Sequence, residues 1–352
     1  MANSMRKQSR GKGFSKKPIL RIIGFVVLGI ALLGAYFVFG PNTGSLAQGE
    51  YLFVHTGSDY NAVKTALKDG GFIGDIKSFD LLAKEVNYPN HIHPGRYHIT
   101  RGMSNWRIVR LLRSGKQSPV KLVIKKLRTK DDFIHLIGSN LEADSTVLRQ
   151  MLSDDNYLAQ FGLDSSTALC AVMPNTYDFY WNTNADKAFR KIETSFFAFW
   201  NAKRKAAADS LHLTPQQAVI LASIVTEESN KYDEQPDIAR VYLNRMAKGM
   251  KLQADPTAKY ATGDFALKRI TSAQTSIASP YNTYYVLGLP PGPICTPDAR
   301  TIEAVLASPK SNYLYFCAKA DFSGYHSFAA TYTEHLKNAQ AYQQALNERA
   351  IH

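Results

Sequence analysis

The stretch LTPQQAVILASIVTEESN (213–230) is an apolar run that closes on two glutamates. Thr214 with Gln217 three residues later makes a capping box, and Pro215 falls at the first helical position, so the spacing predicts a helix starting there. At about 100° per residue, Leu221, Ile224, Val225 and Glu228 share one helical face, and Glu227 lies about 100° away from Glu228. A carboxyl held against apolar side chains loses hydration, which disfavours its charged form and raises its pKa. Such a group still holds a proton near neutral pH and can act as a general acid. Cleavage of a glycosidic bond needs an acid of this kind to protonate the leaving oxygen. The competing role for Glu228 is a helix-ending residue paired with a nearby Lys or Arg.

The stretches that follow, ARVYLNRMAKGMKLQADPTAKYA (239–261) and SPYNTYYVLGLPPGPICTP (279–297), are dense in Asn, Gln, Tyr, Gly and Pro. These types present hydrogen-bonding groups and flat faces, a combination that suits sugars. Other candidates carry less. His91 and His93 flank a Pro-Gly turn with no Cys or carboxylate cluster nearby, so they read as turn histidines and no metal site is expected. No nucleotide-binding glycine motif occurs, and no cofactor is expected.

The elements that must position Glu228 begin with an anchor. The chain has 352 residues and a formal net charge of +13, with 45% apolar residues, which excludes wholesale disorder. Residues 1–21 contain Arg6, Lys7, Arg10, Lys12, Lys16, Lys17 and Arg21 and no acid. Residues 22–40 (IIGFVVLGIALLGAYFVFG) carry no charge, and at 1.5 Å per residue they reach about 28 Å, close to the hydrocarbon thickness of a bilayer. More than half of the excess charge thus sits beside an apolar segment, which argues for a membrane and against nucleic acid as partner. The positive-inside tendency places 1–21 in the cytoplasm and the remainder across the membrane, in the periplasmic or extracellular space. Cys170, Cys295 and Cys317 are too few for a disulfide scaffold.

Beyond a short linker (41–47), strand-like YLFV (51–54), a helix capped by Ser58, a helix opened by Ser78, strand-like RYHIT (96–100), a helix stopping at Gly115 and strand-like PVKLVI (119–124) suggest a small α+β module. From about residue 130 the pattern turns helical, interrupted by MPNTYDFYW (173–181), which reads as an aromatic loop. The expected fold is α+β in four parts: basic tail 1–21, transmembrane helix 22–40, a small module 48–125 and a catalytic domain 126–352.

With those motifs in view, the sequence resembles the YceG-like family of endolytic murein transglycosylases. The resemblance runs through ASIVTEES, RVYLNRMAKGMKLQADPTAKYA, SPYNTYYVLGLPPGPICTP and NYLYFCAKADFSGYHSFAATYTEH, in family order. PGRYHITRGMSNWRIVRLLRSGK (94–116) resembles the family's LysM-like module. The resemblance implies a membrane-anchored lyase that cuts nascent peptidoglycan strands internally, at the MurNAc–GlcNAc β-1,4 bond, leaving 1,6-anhydro-MurNAc ends and terminating strand growth. It also implies partnership with peptidoglycan synthases. The family's catalytic glutamate falls on Glu228. Its other motif glutamate falls on Thr226, and Asn175 stands where the family usually has Asp; both are departures. Asn244, Gln253, Tyr281 and Asn282 are the candidates for holding sugar or peptide, and Asp255 is read as a turn former ahead of Pro256. His326 is expected to be a structural hydrogen-bonder. Two other functions fit the residues: a muramidase in which Glu227, Asp233 or Asp255 serves as a second carboxylate, and a non-enzymatic glycan-binding scaffold.

Overall fold

The computed structural model describes residues 17–47 and 49–349. The basic positions Arg6, Lys7, Arg10, Lys12 and Lys16 of the tail therefore lie outside the described residues. The chain forms two compact units, Met1–Ser118 and Pro119–His352, and the fold is mixed α+β.

The first unit opens with α1 (Lys17–Phe39). Within it, Leu20–Phe39 is the one helix among the described residues long and apolar enough to cross a membrane. There follow β1 (Tyr51–Val54), α2 (Tyr60–Asp69), α3 (Ile76–Glu85), β2 (Gly95–His98) and α4 (Asn105–Ser114). β1 and β2 pair antiparallel, Tyr51 opposite His98 and Val54 opposite Gly95. Alternate strand residues Leu52, Val54 and Tyr97 turn inward against Val63 and Leu67 of α2, Phe79 and Ala83 of α3, and Ile108 and Leu112 of α4. Two caps differ from the sequence expectation. Asp59 rather than Ser58 caps α2, accepting the Ala62 amide, and Asp75 rather than Ser78 opens α3, accepting the Lys77 amide; the anionic carboxylates also suit the positive end of the helix dipole. Gly115 does stop α4, in the left-handed conformation. Residues 41–47 are not a free linker: Pro41 bridges to Ser104 and Thr43 to Ile73.

The second unit begins with β3 (Val120–Ile124), α5 (Lys130–Asn140), α6 (Ser145–Met151), α7 (Asp155–Ala159) and β4 (Asn175–Phe179). Here the sequence reading is corrected twice. PVKLVI, assigned above to the small module, forms β3 and pairs with β4, Val120 opposite Phe179 and Ile124 opposite Asn175. The tract read as an aromatic loop is therefore partly a strand, with Tyr177 and Phe179 buried and Thr176 and Asp178 exposed. The helices α8 (Ala185–Phe199), α9 (Ala202–Ser210), α10 (Pro215–Glu228), α11 (Gln235–Ala247), α12 (Asp255–Thr262), α13 (Ser272–Thr275) and α14 (Ala299–Leu306) follow, then the hairpin β5 (Tyr315–Ala318) and β6 (His326–Ala329), and α15 (Tyr332–Glu348).

α10 lies at the centre of this unit. Every residue from Ala218 to Val225 is buried, as expected for a helix that is apolar all round. The capping box forms as the spacing predicts: Thr214 accepts from the Gln217 amide at 3.1 Å, and Gln217 Oε1 accepts from the Thr214 amide at 2.9 Å. The one polar residue inside the buried run, Ser223, donates to the Ile220 carbonyl (2.7 Å) and accepts the amide of Ile294 (3.0 Å). It thereby fixes the Pro-rich segment after Pro290 against the helix. Ser223→Ala leaves the Ile294 amide buried without a partner, a loss of about 1–3 kcal/mol. The expected outcome is a lower urea midpoint; an unchanged midpoint would mean that Ile294 finds another acceptor.

Candidate active site

Glu228 is the last residue of α10, and three local features set its carboxyl. First, it continues the face of Leu221, Ile224 and Val225, all fully buried. Second, a helix C-terminus carries partial negative charge, which opposes a carboxylate there. Third, the chain beyond is fixed: Ser229 Oγ donates to Glu234 Oε1 at 2.6 Å, and Gln235 Nε2 donates to the Ser229 carbonyl at 2.9 Å. Glu234 also accepts the backbone amide of His326 and meets its Nδ1, both at 2.9 Å. His326 thus ties the β5–β6 hairpin to the end of α10, the structural role its sequence context suggested.

Among the described residues the Glu228 side chain forms no ion pair with Lys or Arg. Tyr242 of α11, itself fully buried, donates its hydroxyl to Glu228 Oε1 at 2.5 Å. The Tyr242 ring in turn stands edge-on against Phe316 of β5. Among the described residues no hydrogen bond reaches Oε2. Burial raises the Glu228 pKa to about 7; the Tyr242 hydrogen bond opposes the rise, and the negative charges of Asp255 and Glu227 add to it. Because Tyr242 donates to Oε1, a proton on this carboxyl belongs on Oε2.

Glu227, one residue earlier, has the opposite environment. Lys126 Nζ lies 2.6 Å from one carboxyl oxygen and Arg128 Nη2 3.2 Å from the other. Burial alone would raise its pKa, but these two cations outweigh it and the pKa falls below the usual glutamate value. The two adjacent carboxyls are thereby split into one acid and one fixed anion, the pattern that separates acid from base roles in a site. Thr226 donates back to the Ala222 carbonyl at 2.8 Å.

Glu228 opens onto a cavity of about 200 Å³, lined also by Tyr242, Arg245, Gln253, Asp255, Tyr284 and Phe316. Arg245 lies one helical turn after Tyr242. It donates to the carbonyls of Leu314 (2.7 Å) and Leu252 (2.8 Å) and to Gln253 Oε1 (3.3 Å). One guanidinium thus joins α11, the loop before α12 and the start of β5. Gln253 sits at φ +53°, a strained left-handed backbone for a non-glycine residue. Its amide is held by the Thr283 carbonyl at 3.2 Å. Asp255 is the first residue of α12 and accepts from the Tyr284 hydroxyl at 2.6 Å. It is a wall of the cavity, where the sequence reading favoured a turn former; Ala254 occupies the cap position and makes no side-chain cap.

Of the candidate substrate contacts, only Gln253 shares the cavity with Glu228. Asn244 donates to the carbonyls of Ser311 (2.8 Å) and Tyr313 (2.9 Å), holding the approach to β5. Asn282 is fully buried, its amide donating to Gln274, Thr275 and Ile277 carbonyls and its Oδ1 accepting the Tyr284 amide. These are loop-holding bonds, although those to Tyr284 and thus Asp255 serve the cavity indirectly. Tyr281 packs on Tyr260 and lines a different cavity. Tyr242, Arg245, Tyr284 and Phe316 were not singled out by sequence. The Tyr242–Arg245 spacing of three places both on one side of α11, but only packing shows that this side faces Glu228. Asp233 bonds the Tyr325 hydroxyl at 3.0 Å. Cys170, Cys295 and Cys317 are all free thiols.

Against known proteins, residues 52–341 match the model of the YceG-like family. A protein of Bacillus subtilis (strain 168) named endolytic murein transglycosylase is 27% identical over 315 residues, spanning 84% of this chain and 85% of that one. One of the same name from Streptococcus pneumoniae serotype 2 (strain D39) is 25% identical over 342 residues, spanning 84% of this chain and 60% of that longer protein. The crystal structure of a putative yceG-like protein from Listeria monocytogenes superposes with a TM-score of 0.53 at 27% identity, covering 82% of this chain and 98% of that one.

The raised pKa has a consequence for stability. The folded protein keeps the Glu228 proton up to about pH 7, whereas an unfolded glutamate releases it near 4.5. The native state holds more protons across that window, so this group's contribution to stability declines as pH rises through it. Glu228→Gln removes the decline: its Tm should exceed that of the wild type above pH 7, and the gap should close towards pH 4.5. A gap independent of pH would contradict the shift. Tyr242→Phe keeps the ring against Phe316 and removes the donor that favours the carboxylate. The window in the same pH series should then extend upward; a downward move would contradict the hydrogen bond's role.

Proposed function

The chain belongs to the YceG-like family, and from that premise we propose that it is a membrane-anchored lytic transglycosylase. It cuts peptidoglycan strands internally at the MurNAc–GlcNAc β-1,4 bond, and Glu228 is its catalytic residue. The observation that carries the reading is a carboxyl at the end of a buried apolar helix, on a cavity wall and fixed through Oε1 by a buried tyrosine. The curated relatives named endolytic murein transglycosylase add to it.

The chemistry needs one protonatable group acting twice. Glu228 Oε2 gives its proton to the glycosidic oxygen as the C1–O bond breaks and positive charge develops at MurNAc C1. The carboxylate left behind is stabilised by the Tyr242 hydroxyl, a charge-assisted bond that strengthens as charge appears. It then takes the proton of the MurNAc C6 hydroxyl while that oxygen closes on C1. The proton count of the enzyme returns to its start, and no water enters the product. Gln253, Asp255 and Tyr284 offer hydrogen-bonding groups to the sugar, and Phe316 an apolar face. The apolar helix is the anchor: residues 1–21 are cytoplasmic and the chain after Gly40 lies on the far side of the membrane, where nascent strands and their synthases are. The α+β part of the first unit that follows the anchor, β1 to α4, is the LysM-like module.

A second reading follows from Asp255, a second carboxylate in the Glu228 cavity. With water admitted, that arrangement suits a muramidase with Asp255 as base or nucleophile. Product mass separates the two. Full-length protein in detergent, given un-crosslinked glycan strands, should release anhydro-MurNAc ends; products one water heavier would establish the hydrolase. Glu228→Gln should lower turnover by about 10²–10⁴-fold or more, the range typical of general acids. Wild-type rates should fall as pH rises through about 7, where the acid form is lost. Cleavage by the Gln variant at the wild-type rate would remove Glu228 from the mechanism.

A further inference from the structure

α1 does not end in a loose tether. Asn105 Nδ2 of α4 donates to the Phe37 carbonyl at 2.8 Å, Pro41 bridges to Ser104, and Asn42 Nδ2 donates to Asn105 Oδ1 (2.6 Å) and the Asp75 carbonyl (2.9 Å). The last turns of the apolar helix are therefore part of the first unit's packing. α3 runs beside them. Gly34, Phe37 and Val38 of α1 and Leu81 and Leu82 of α3 line an apolar cleft of about 450 Å³, rimmed by Asp75, Lys77 and Glu85. On the α4 side, the Phe39 ring meets Trp106 at 6.4 Å.

Length decides where this junction falls. Leu20–Phe39 has 20 residues, about 30 Å of helix, which matches a hydrocarbon core of about 30 Å and leaves no turn to spare. Gly34 precedes Phe39 by five residues, so the cleft begins about 7 Å inside the apolar stretch. Drawing the cleft clear of the bilayer would leave about 22 Å of apolar helix to span the core. Interfacial helices sit about 5–10 Å deep with their apolar face down, the same depth.

The surface chemistry agrees with that depth. Leu81 is 67% exposed and Phe39 66%, large apolar groups that the protein leaves mostly uncovered. Trp106 is a residue type that favours the membrane interface. Arg110 and Arg113 share a groove with Trp106, Val86 and Val109. No acidic residue occurs between Glu85 and Asp131, and neither arginine has an ion pair among the described residues.

We infer that the first unit is seated on the bilayer, with Leu81 and Trp106 at the acyl boundary and Arg110 and Arg113 on anionic phospholipid headgroups. This rests on the reading of α1 as a membrane span. The test uses the full chain with Cys317→Ala, reconstituted in phosphatidylcholine vesicles with or without phosphatidylglycerol. Nitroxide is placed at Leu81→Cys, Val27→Cys or Lys68→Cys. Leu81 and Lys68 are both exposed, so neither substitution disturbs the core. At position 81 the label should be several-fold more accessible to oxygen, relative to a water-soluble nickel chelate, than at position 68. Phosphatidylglycerol should deepen it, and Arg110→Gln with Arg113→Gln should abolish that deepening. A label at 81 as open to nickel as that at 68, with 27 protected, overturns the seating and leaves the span intact. Nickel access at 27 overturns both. Spin–spin broadening at 81 would assign the cleft to a second copy of this chain and overturn the lipid assignment. Equal deepening with and without the arginines overturns their part.

Discussion

The hydrogen bond from Tyr242 to Glu228 is the contact on which the proposed chemistry turns. It joins α10, whose burial denies the carboxyl its hydration, to α11, which supplies the only donor among the described residues that partly restores it. Two opposed effects meet on one group: desolvation and the helix C-terminus favour the protonated form, and the tyrosine favours the anion. Their balance leaves a proton that is held at neutral pH and still transferable. A fully apolar pocket would hold the proton too tightly, and a cationic partner of the kind Glu227 has would remove it.

The rest of the unit preserves that balance. Arg245 ties the loop before α12 and the entry of β5 to α11, and Glu234 ties β6 to the end of α10. Thr257 of α12 and Thr283 of the facing loop meet at 2.7 Å, which fixes the strained backbone at Gln253 and the neighbouring Asp255. The cavity wall is thus assembled from five separate chain segments, namely the end of α10, α11, the start of α12, the loop at Tyr284 and β5, tied to one another by polar contacts. Rigid first contacts of this kind let a site be organised before substrate arrives.

The central helix was legible in the sequence because its information is local: a capping box, a proline at the first position and an apolar run ending at Glu228. The cavity was not, because its walls depend on packing. That Tyr242 faces Glu228 follows from the way α10 meets α11, and nothing in RVYLNRM marks it. Asn244 and Asn282 were chosen for their type, and their amides prove to be taken up by backbone carbonyls. The strand at 175–179 was missed for a related reason. Its alternation spans only Thr176 to Phe179, directly after Pro174, and its partner β3 lies more than fifty residues earlier in the chain. β3 was placed in the wrong module because a lone strand carries no sign of which partner it will take.

The protonation state of Glu228 can be observed directly by infrared difference spectroscopy. Spectra of the full chain would be recorded across a pH series for the wild type and for Glu228→Gln. The protonated-carboxyl C=O stretch that distinguishes the two proteins should be present at pH 5 and decline with a midpoint near 7. A midpoint near the ordinary glutamate value would mean that Glu228 is ionised at neutral pH. The proton that the proposed chemistry begins with would then have to come from elsewhere.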